Sequence, residues 1–224
     1  MKKKCPNCLL VNTAAAENCL RCDLRLVETS GLKPAAPEKT PFKSKLLRRA
    51  VVCAGVIVLT LFAFYMSMIL TAKSLENDET ETVRKAIQVL EEKGFGRDVL
   101  LLRYLTVYRG NDNWLNASTR LENAYAATNF PFEIMTIYPD FFLYPRDDLE
   151  RAAIILHEAQ HLKGADEKEA YEYVWKNRAR LGWTREHYGA SVVWRNVRKQ
   201  TREILPELFV CEMNDYDDCT EPER

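Results

Sequence analysis

Two of the three histidines in the chain stand four residues apart, in the string ILHEAQHLKG. If this segment is a helix, His157 and His161 lie one above the other on one face, where both rings can bind a single metal ion. Glu158 then lies beside the open coordination position, where it can take a proton from bound water. The run LERAAIILHEAQHL is apolar on the histidine side, which favours a buried helix. The alternative is a pair of core histidines satisfied by hydrogen bonds.

A catalytic zinc site normally has three protein ligands and one open position, so the two histidines need a third ligand. Four acidic residues follow them closely: Asp166, Glu167, Glu169 and Glu172. On the next predicted helix, Glu167 shares a face with Ala170 and Tyr171, the apolar stripe that should pack toward the histidine helix. Glu169 lies on a face that is typical of solvent exposure. We therefore predict Glu167 as the third ligand, with Glu169 as the alternative.

Four cysteines near the N-terminus form a second candidate metal site. They make two Cys-x2-Cys pairs separated by ten residues: Cys5, Cys8, Cys19 and Cys22. A two-residue gap lets both thiolates of a pair point at one ion, and two pairs complete the tetrahedral set that Zn²⁺ prefers at about 2.3 Å. The segment is too short for a core of its own, so the metal would supply most of its folding free energy. Two disulfides are the alternative.

Residues 50–72 contain no charged side chain. A helix of that length can cross a hydrocarbon core of about 30 Å, although a long buried core helix is an alternative. Lys and Arg cluster before this run and Asp and Glu follow it, and residues 1–49 carry 11 basic against 4 acidic side chains. The positive-inside rule therefore predicts a single-pass membrane protein with its N-terminus in the cytoplasm and its C-terminal domain extracytoplasmic.

The composition, 47% hydrophobic with only 8 Gly and 9 Pro, excludes a disordered protein. We predict four segments: a zinc ribbon over 1–28, a basic linker over 29–49, a transmembrane helix over 50–72 and an outer domain over 75–224. The outer domain is predicted to be α+β and helix-dominated. Helices are expected over 80–93, 113–128, 147–163, 166–180 and 184–205, and strands over 99–108, where a helix stays open, and over 130–138 at a sheet edge.

Cys211 and Cys219 are the last two cysteines, eight residues apart in an acidic tail. An exported, oxidising location would allow a disulfide between them, and two free thiols are the alternative.

The passage over 129–180 resembles the gluzincin group of zincin metallopeptidases, which share HExxH followed by a glutamate ligand on the next helix. In many of them a small residue stands three positions after that glutamate, as Ala170 does after Glu167. Only five residues separate His161 from Glu167, fewer than in the large members, so the two helices must form a tight hairpin around Gly164. The passage also resembles bacterial membrane-anchored proteins with this motif, and CPNCLLVNTAAAENCLRC resembles the zinc-ribbon modules that begin many bacterial membrane proteins.

The resemblance implies a membrane-anchored, zinc-dependent peptidase that hydrolyses peptide bonds through a metal-bound water, with Glu158 as general base and a second, structural zinc in the ribbon. It also implies an oxyanion-stabilising His or Tyr on a later element, for which His187 and Tyr188 are the candidates. The expected partners are a peptide or protein substrate and the lipid bilayer, and no specific nucleic acid. The alternative function is a non-catalytic, membrane-anchored binding or sensor protein with a zincin-like outer domain, whose ribbon binds a cytoplasmic partner.

Overall fold

The computed structural model describes residues 2–26, 42–115, 117, 125–210 and 218–220. It divides into two compact units, residues 1–57 and 58–224. Residues 29–41 of the predicted linker lie outside the described part. In chain order the elements are β1 (Lys3–Lys4), β2 (Val11–Asn12), α1 (Phe42–Thr71), α2 (Asn77–Glu92), α3 (Gly96–Tyr104), β3 (Val107–Arg109), β4 (Ala126–Asn129), β5 (Ile134–Ile137), α4 (Pro139–Leu143), α5 (Asp148–His161), α6 (Glu167–Leu181), α7 (Arg185–Tyr188), α8 (Val192–Ile204) and a 3₁₀ turn (Pro206–Phe209).

The N-terminal segment forms a small hairpin around its cysteines. Strands β1 and β2 pair antiparallel, with Lys3 opposite Asn12. Each Cys-x2-Cys pair is followed by a residue with positive φ, Leu9 at 59° and Asp23 at 52°. Such left-handed residues let the chain turn back sharply, which brings the two thiols of each pair to the same side.

Helix α1 is long and apolar enough to cross a membrane. Its apolar part, Lys45–Thr71, has 27 residues, of which only a small share is buried. A core helix of a soluble protein would be mostly buried. By length and composition, α1 therefore fits the predicted span, and its orientation across a membrane stays a prediction.

The second unit contains a three-stranded sheet of order β3-β5-β4. Strand β5 pairs in parallel with β3 and antiparallel with β4, and all four of its residues are buried. Strand β4 lies against α5 and, among the described residues, pairs on one side only. The open edge of the sheet beside α5 therefore belongs to β4.

Two strand predictions are wrong in their extent. The predicted edge strand over 130–138 begins only at Ile134 and is central in the sheet, because residues 130–133 form the turn from β4. Most of 99–108 is helix α3, since Val99 and Leu102 are buried while Leu100 and Tyr104 are exposed, a helical spacing. Of the helix predicted over 113–128, residues 116 and 118–124 lie outside the described part of the chain, and residues 126–128 belong instead to strand β4, where pairing with β5 outweighs local propensity.

The helices that flank the histidines agree with the predicted ones and are well capped. Asp147 caps α5, where its side chain accepts hydrogen bonds from the backbone N–H groups of Leu149 and Glu150. The helix predicted over 184–205 is instead two helices, α7 and α8. Ser191 accepts a hydrogen bond from the backbone N–H of Trp194 and so begins α8 as a second N-cap.

The core of this unit lies around α5, which packs against α2 and α6. Three buried tryptophans join α6 to α8: the ring centroids of Trp175 and Trp194 are 5.2 Å apart, and those of Trp183 and Trp194 are 4.9 Å apart. Helix α6 also packs directly against α5 and follows it after a short turn, so the first turn of α6 lies beside the last turn of α5.

Candidate metal centre

The two histidines of the HExxH string meet on one face of α5. Their Nε2 atoms are 3.2 Å apart, and both rings are half-buried. Nitrogen ligands at 2.0–2.1 Å from a tetrahedral ion stand about 3.3 Å apart, so this separation suits two imidazoles that share one Zn²⁺.

Glu167 brings a carboxylate to the same point from the first position of α6. Its Oε2 lies 3.3 Å from Nε2 of His157, and its Oε1 lies 3.5 Å from Nε2 of His161. The short connection depends on Gly164, whose φ is +84°, a conformation that side chains other than glycine rarely adopt. The three donors lie within 4.8 Å of one another. They make the two-nitrogen, one-carboxylate set found in catalytic zinc sites.

The other acidic candidates do not join this cluster. Asp166 and Glu169 form a capping box, in which each side chain accepts a hydrogen bond from the backbone N–H of the other. Glu172 binds the ammonium of Lys176. The structure therefore brings Glu167 to the histidines and engages Glu169 in capping α6.

A hydrogen bond behind His161 orients its ring. Nδ1 of His161 lies 2.9 Å from the carbonyl oxygen of Ala165. A carbonyl can only accept, so this contact places the ring proton on Nδ1 and leaves the lone pair of Nε2 free for a metal.

The hydrogen bonds within the cluster favour a protonated His161 and an ionised Glu167. Burial disfavours the cationic form of His161, but the hydrogen bonds to Glu167 and Ala165 outweigh it and raise the pKa of His161 from 6.5 to about 9. Hydrogen bonds from His157 and His161 lower the pKa of Glu167. Without a metal ion, the positive charge of protonated His161 therefore balances the negative charge of the Glu167 carboxylate.

Zinc affinity should depend on pH through His161. Below pH 9 the ion-free cluster holds the His161 proton, which zinc must displace, so affinity should rise about tenfold per pH unit from 7 to 9 and level off above it. Competition with a chelator would measure this in full-length protein with Cys5, Cys8, Cys19 and Cys22 changed to Ser, so that thiolates do not contribute. An affinity that is flat over this range would show that no such proton is displaced.

Glu158 points into the site from the residue after His157. It is only 6% exposed, and its Oε2 accepts a hydrogen bond from the hydroxyl of Thr128 at 2.8 Å. Thr128 belongs to β4, so the edge strand holds this carboxylate in one orientation. His157, Glu158 and Glu167 together line one cavity of about 110 Å³ in the second unit.

Replacing Thr128 by Val should loosen Glu158 without changing the shape of the side chain. Hydrogen bonds to charged groups contribute about 1.5–3 kcal/mol, so we expect roughly a tenfold or greater fall in kcat for any hydrolysis at this site. Thr128→Ser keeps the hydroxyl and should retain most of the rate. Equal kcat values for Thr128→Val and Thr128→Ser would contradict a positioning role for this hydroxyl.

Tyr171 is a site residue that the sequence pattern assigned only to the packing stripe. Its ring centroid is 4.4 Å from that of His157, and its hydroxyl donates to Oε1 of Gln200 on α8 at 2.8 Å. Burial raises the pKa of Tyr171, so its hydroxyl stays a donor at neutral pH. The signal in the sequence is its place one helical turn after Glu167, on the same face.

His187 and Tyr188 lie elsewhere, and neither lines the cavity beside the histidines. Nδ1 of His187 contacts the hydroxyl of Thr184 at 3.0 Å, and the hydroxyl of Tyr188 donates to Asp147 at 2.7 Å. Asp147 caps the start of α5, about 15 Å along the helix from His157. His187 and Tyr188 therefore lie near the N-terminal end of α5, away from the cluster of His157, His161 and Glu167.

The four N-terminal thiols also converge. Sγ of Cys8 is 3.4 Å from that of Cys19 and 3.5 Å from that of Cys22, which is itself 3.5 Å from Cys5. Thiolates at 2.3 Å from a tetrahedral zinc would stand about 3.8 Å apart, so a small outward shift accommodates the ion. The backbone N–H of Arg21 and other donors lower the pKa of Cys19 to about 6, which favours a thiolate there. This cluster can hold a metal ion.

The predicted disulfide at the C-terminus is only partly within the described residues. Cys219 is disulfide-bonded. Cys211, its predicted partner, lies outside the described part of the chain.

No protein-family model matches the chain, and neither a curated protein nor a solved structure matches it. The resemblance to gluzincins therefore depends on the motif alone, and the zincin-like fold stays a prediction. Independently of any family, the structure shows a helix-dominated α+β unit with one cluster of two histidines and a glutamate, and an N-terminal cluster of four cysteines, each able to bind a metal.

Proposed function

We propose that the chain is a membrane-anchored, zinc-dependent peptidase. The observation that carries the proposal is the meeting of His157, His161 and Glu167 within 4.8 Å of one another, with the buried carboxylate of Glu158 on the same cavity. Structural zinc sites use four protein ligands, whereas three ligands beside a cavity leave a position for substrate.

The donor set fits zinc. Two imidazole nitrogens and one carboxylate are borderline ligands that suit this ion, and the Ala165 carbonyl prepares the tautomer of His161 that can bind it. Zinc bound there would supply a Lewis acid for the scissile carbonyl and would make water more acidic.

Glu158 is the proposed general base. Both its burial and the hydrogen bond from Thr128 hold its carboxylate at the cavity, where it can accept a proton from the attacking water and return it to the leaving amine. Tyr171 also lines the cavity, with its ring beside that of His157, and its hydroxyl would exchange the hydrogen bond to Gln200 for one to the carbonyl oxygen of a bound peptide. It replaces His187 and Tyr188 as the candidate for that role.

The remaining parts of the proposal concern location. Helix α1 would be the single membrane span, with the cysteine cluster as a zinc-bound ribbon in the cytoplasm and the α+β unit outside. The length and apolar composition of α1 and the positive charge before it support this arrangement.

Hydrolysis that depends on metal would test the function. Full-length protein in detergent should cleave members of a quenched fluorescent peptide library, lose this activity with a chelator such as 1,10-phenanthroline, and recover it on addition of Zn²⁺. The ribbon variant with four Cys→Ser changes serves as control, because it should respond in the same way if the histidine cluster is responsible. Cleavage that survives complete zinc removal would contradict the proposal.

A further inference from the structure

The part of α1 that is exposed on all sides is too short to fill a bilayer. Residues 50–63 are uncharged and exposed, and Arg48 and Arg49 precede them. These 14 residues span about 21 Å, whereas the hydrocarbon core is about 30 Å thick. If α1 crosses the membrane, as the proposed function requires, roughly the next six residues must also lie in the bilayer.

Those next residues are where the second unit packs against α1. Residues 64–69 are half-buried or buried, and Met68 is fully buried. The ring centroid of Phe64 lies 5.5 Å from that of Trp114 and 5.2 Å from that of Phe132. Side chains from outside α1 therefore occupy the depth at which α1 would still be in lipid.

The side chains that contact α1 at this depth are aromatic, and the indole N–H among them has a protein partner. We call Phe64, Tyr65, Trp114, Phe130 and Phe132 the aromatic collar. The indole N–H of Trp114 donates to Oγ of Ser67 at 3.1 Å, so it needs no water. Trp114 is 45% exposed and Phe130 is 58% exposed, which leaves apolar ring surface uncovered. Trp and other amphipathic rings are enriched where a membrane protein meets the headgroups.

We propose that the aromatic collar is a lipid-contact surface that enters the outer headgroup and acyl boundary where α1 leaves the bilayer. The collar adjoins the turn between α5 and α6, because a Cβ on Gly164 would lie 3.5 Å from Cζ of Phe130. Gly164 is in the turn that joins His161 to Glu167. In this arrangement the metal-binding hairpin lies against the membrane surface. The natural substrates of the protein are then peptide segments that lie close to lipid.

Quenching of tryptophan fluorescence by brominated lipid tests this surface. Full-length protein is reconstituted in phosphatidylcholine vesicles with bromine near the headgroup end of the acyl chains. The other three tryptophans, Trp175, Trp183 and Trp194, are buried in the core and give a constant background. The quenched fraction present in the wild type should vanish in Trp114→Phe.

Three added tryptophans in the Trp114→Phe background complete the test: Leu61→Trp within the span, Phe130→Trp in the collar and His187→Trp at the far end of α5. We expect Leu61→Trp and Phe130→Trp to lose roughly half or more of the added emission, and His187→Trp to lose none. Quenching at Leu61→Trp without quenching at Phe130→Trp or Trp114 would overturn the proposal while keeping α1 as the anchor, since the bilayer would then thin around a short span. No quenching at Leu61→Trp would reject the anchor itself, and with it the lipid-contact surface.

Discussion

Replacing His157 by Ala should remove one zinc ion from the protein and lower the stability of its outer unit. Loss of a partner that only orients a ligand costs about 10–100-fold in metal affinity, so loss of a ligand should cost at least about 100-fold. Where zinc is in excess, a 100-fold loss of affinity lowers the free energy of unfolding by about 2.7 kcal/mol. Zinc content by mass spectrometry and thermal unfolding with added zinc would measure both effects.

The third histidine supplies a matched control for this experiment. His187 is exposed and does not line the cavity, so His187→Ala should keep the zinc content and the zinc-dependent rise in Tm. The four thiolates are expected to hold a second ion, which should survive in His157→Ala. Equal zinc content in His157→Ala and His187→Ala would contradict the role of His157 as a ligand.

Replacing Glu158 by Gln should abolish peptide hydrolysis while zinc stays bound. The amide has the same shape and can still contact Thr128, but it cannot take a proton from water. General acid–base catalysis contributes roughly 10²–10⁴-fold, so kcat should fall by that factor. The rate of cleavage of a quenched fluorescent peptide and the zinc content of the same preparation would test both parts.

Glu169→Gln is the control for the loss of a carboxylate near the cluster. Glu169 accepts the backbone N–H of Asp166 in the capping box, which Gln can also do, so this variant should keep zinc and activity. If Glu158→Gln and Glu169→Gln hydrolyse the peptide equally, Glu158 is not the general base; absence of zinc-dependent hydrolysis in the wild type as well would instead support the alternative of a non-catalytic binding or sensor protein.

The sequence was sufficient for the parts of the site that depend on one helical period. His157, Glu158 and His161 follow from their spacing, and Glu167 follows from its place on the apolar face of the next helix. In the structure, His157, Glu158 and Glu167 line one cavity, and His161 joins His157 and Glu167 in the metal cluster. Local spacing succeeds here because α5, the Gly164 turn and α6 are consecutive in the chain.

The features of the site that the sequence did not predict depend on contacts between segments that are distant in the chain. Thr128 lies 30 residues before Glu158, in a segment predicted to be helix, and only its pairing with β5 makes it a strand beside α5. The contact of Tyr171 with Gln200 joins α6 to α8 across 29 residues. No periodicity could show that Ser191 would begin a second helix and leave His187 and Tyr188 at the far end of α5.

X-ray absorption at the zinc edge would show whether His157 and His161 bind one zinc ion together. It is applied to full-length protein in which Cys5, Cys8, Cys19 and Cys22 are Ser, loaded with one equivalent of Zn²⁺. We expect only nitrogen and oxygen neighbours around the zinc, at about 2.0–2.1 Å, with the outer-shell scattering of two imidazoles, one of which is lost in His161→Ala. A folded protein that binds no zinc, or a spectrum with no imidazole scattering, would contradict this expectation.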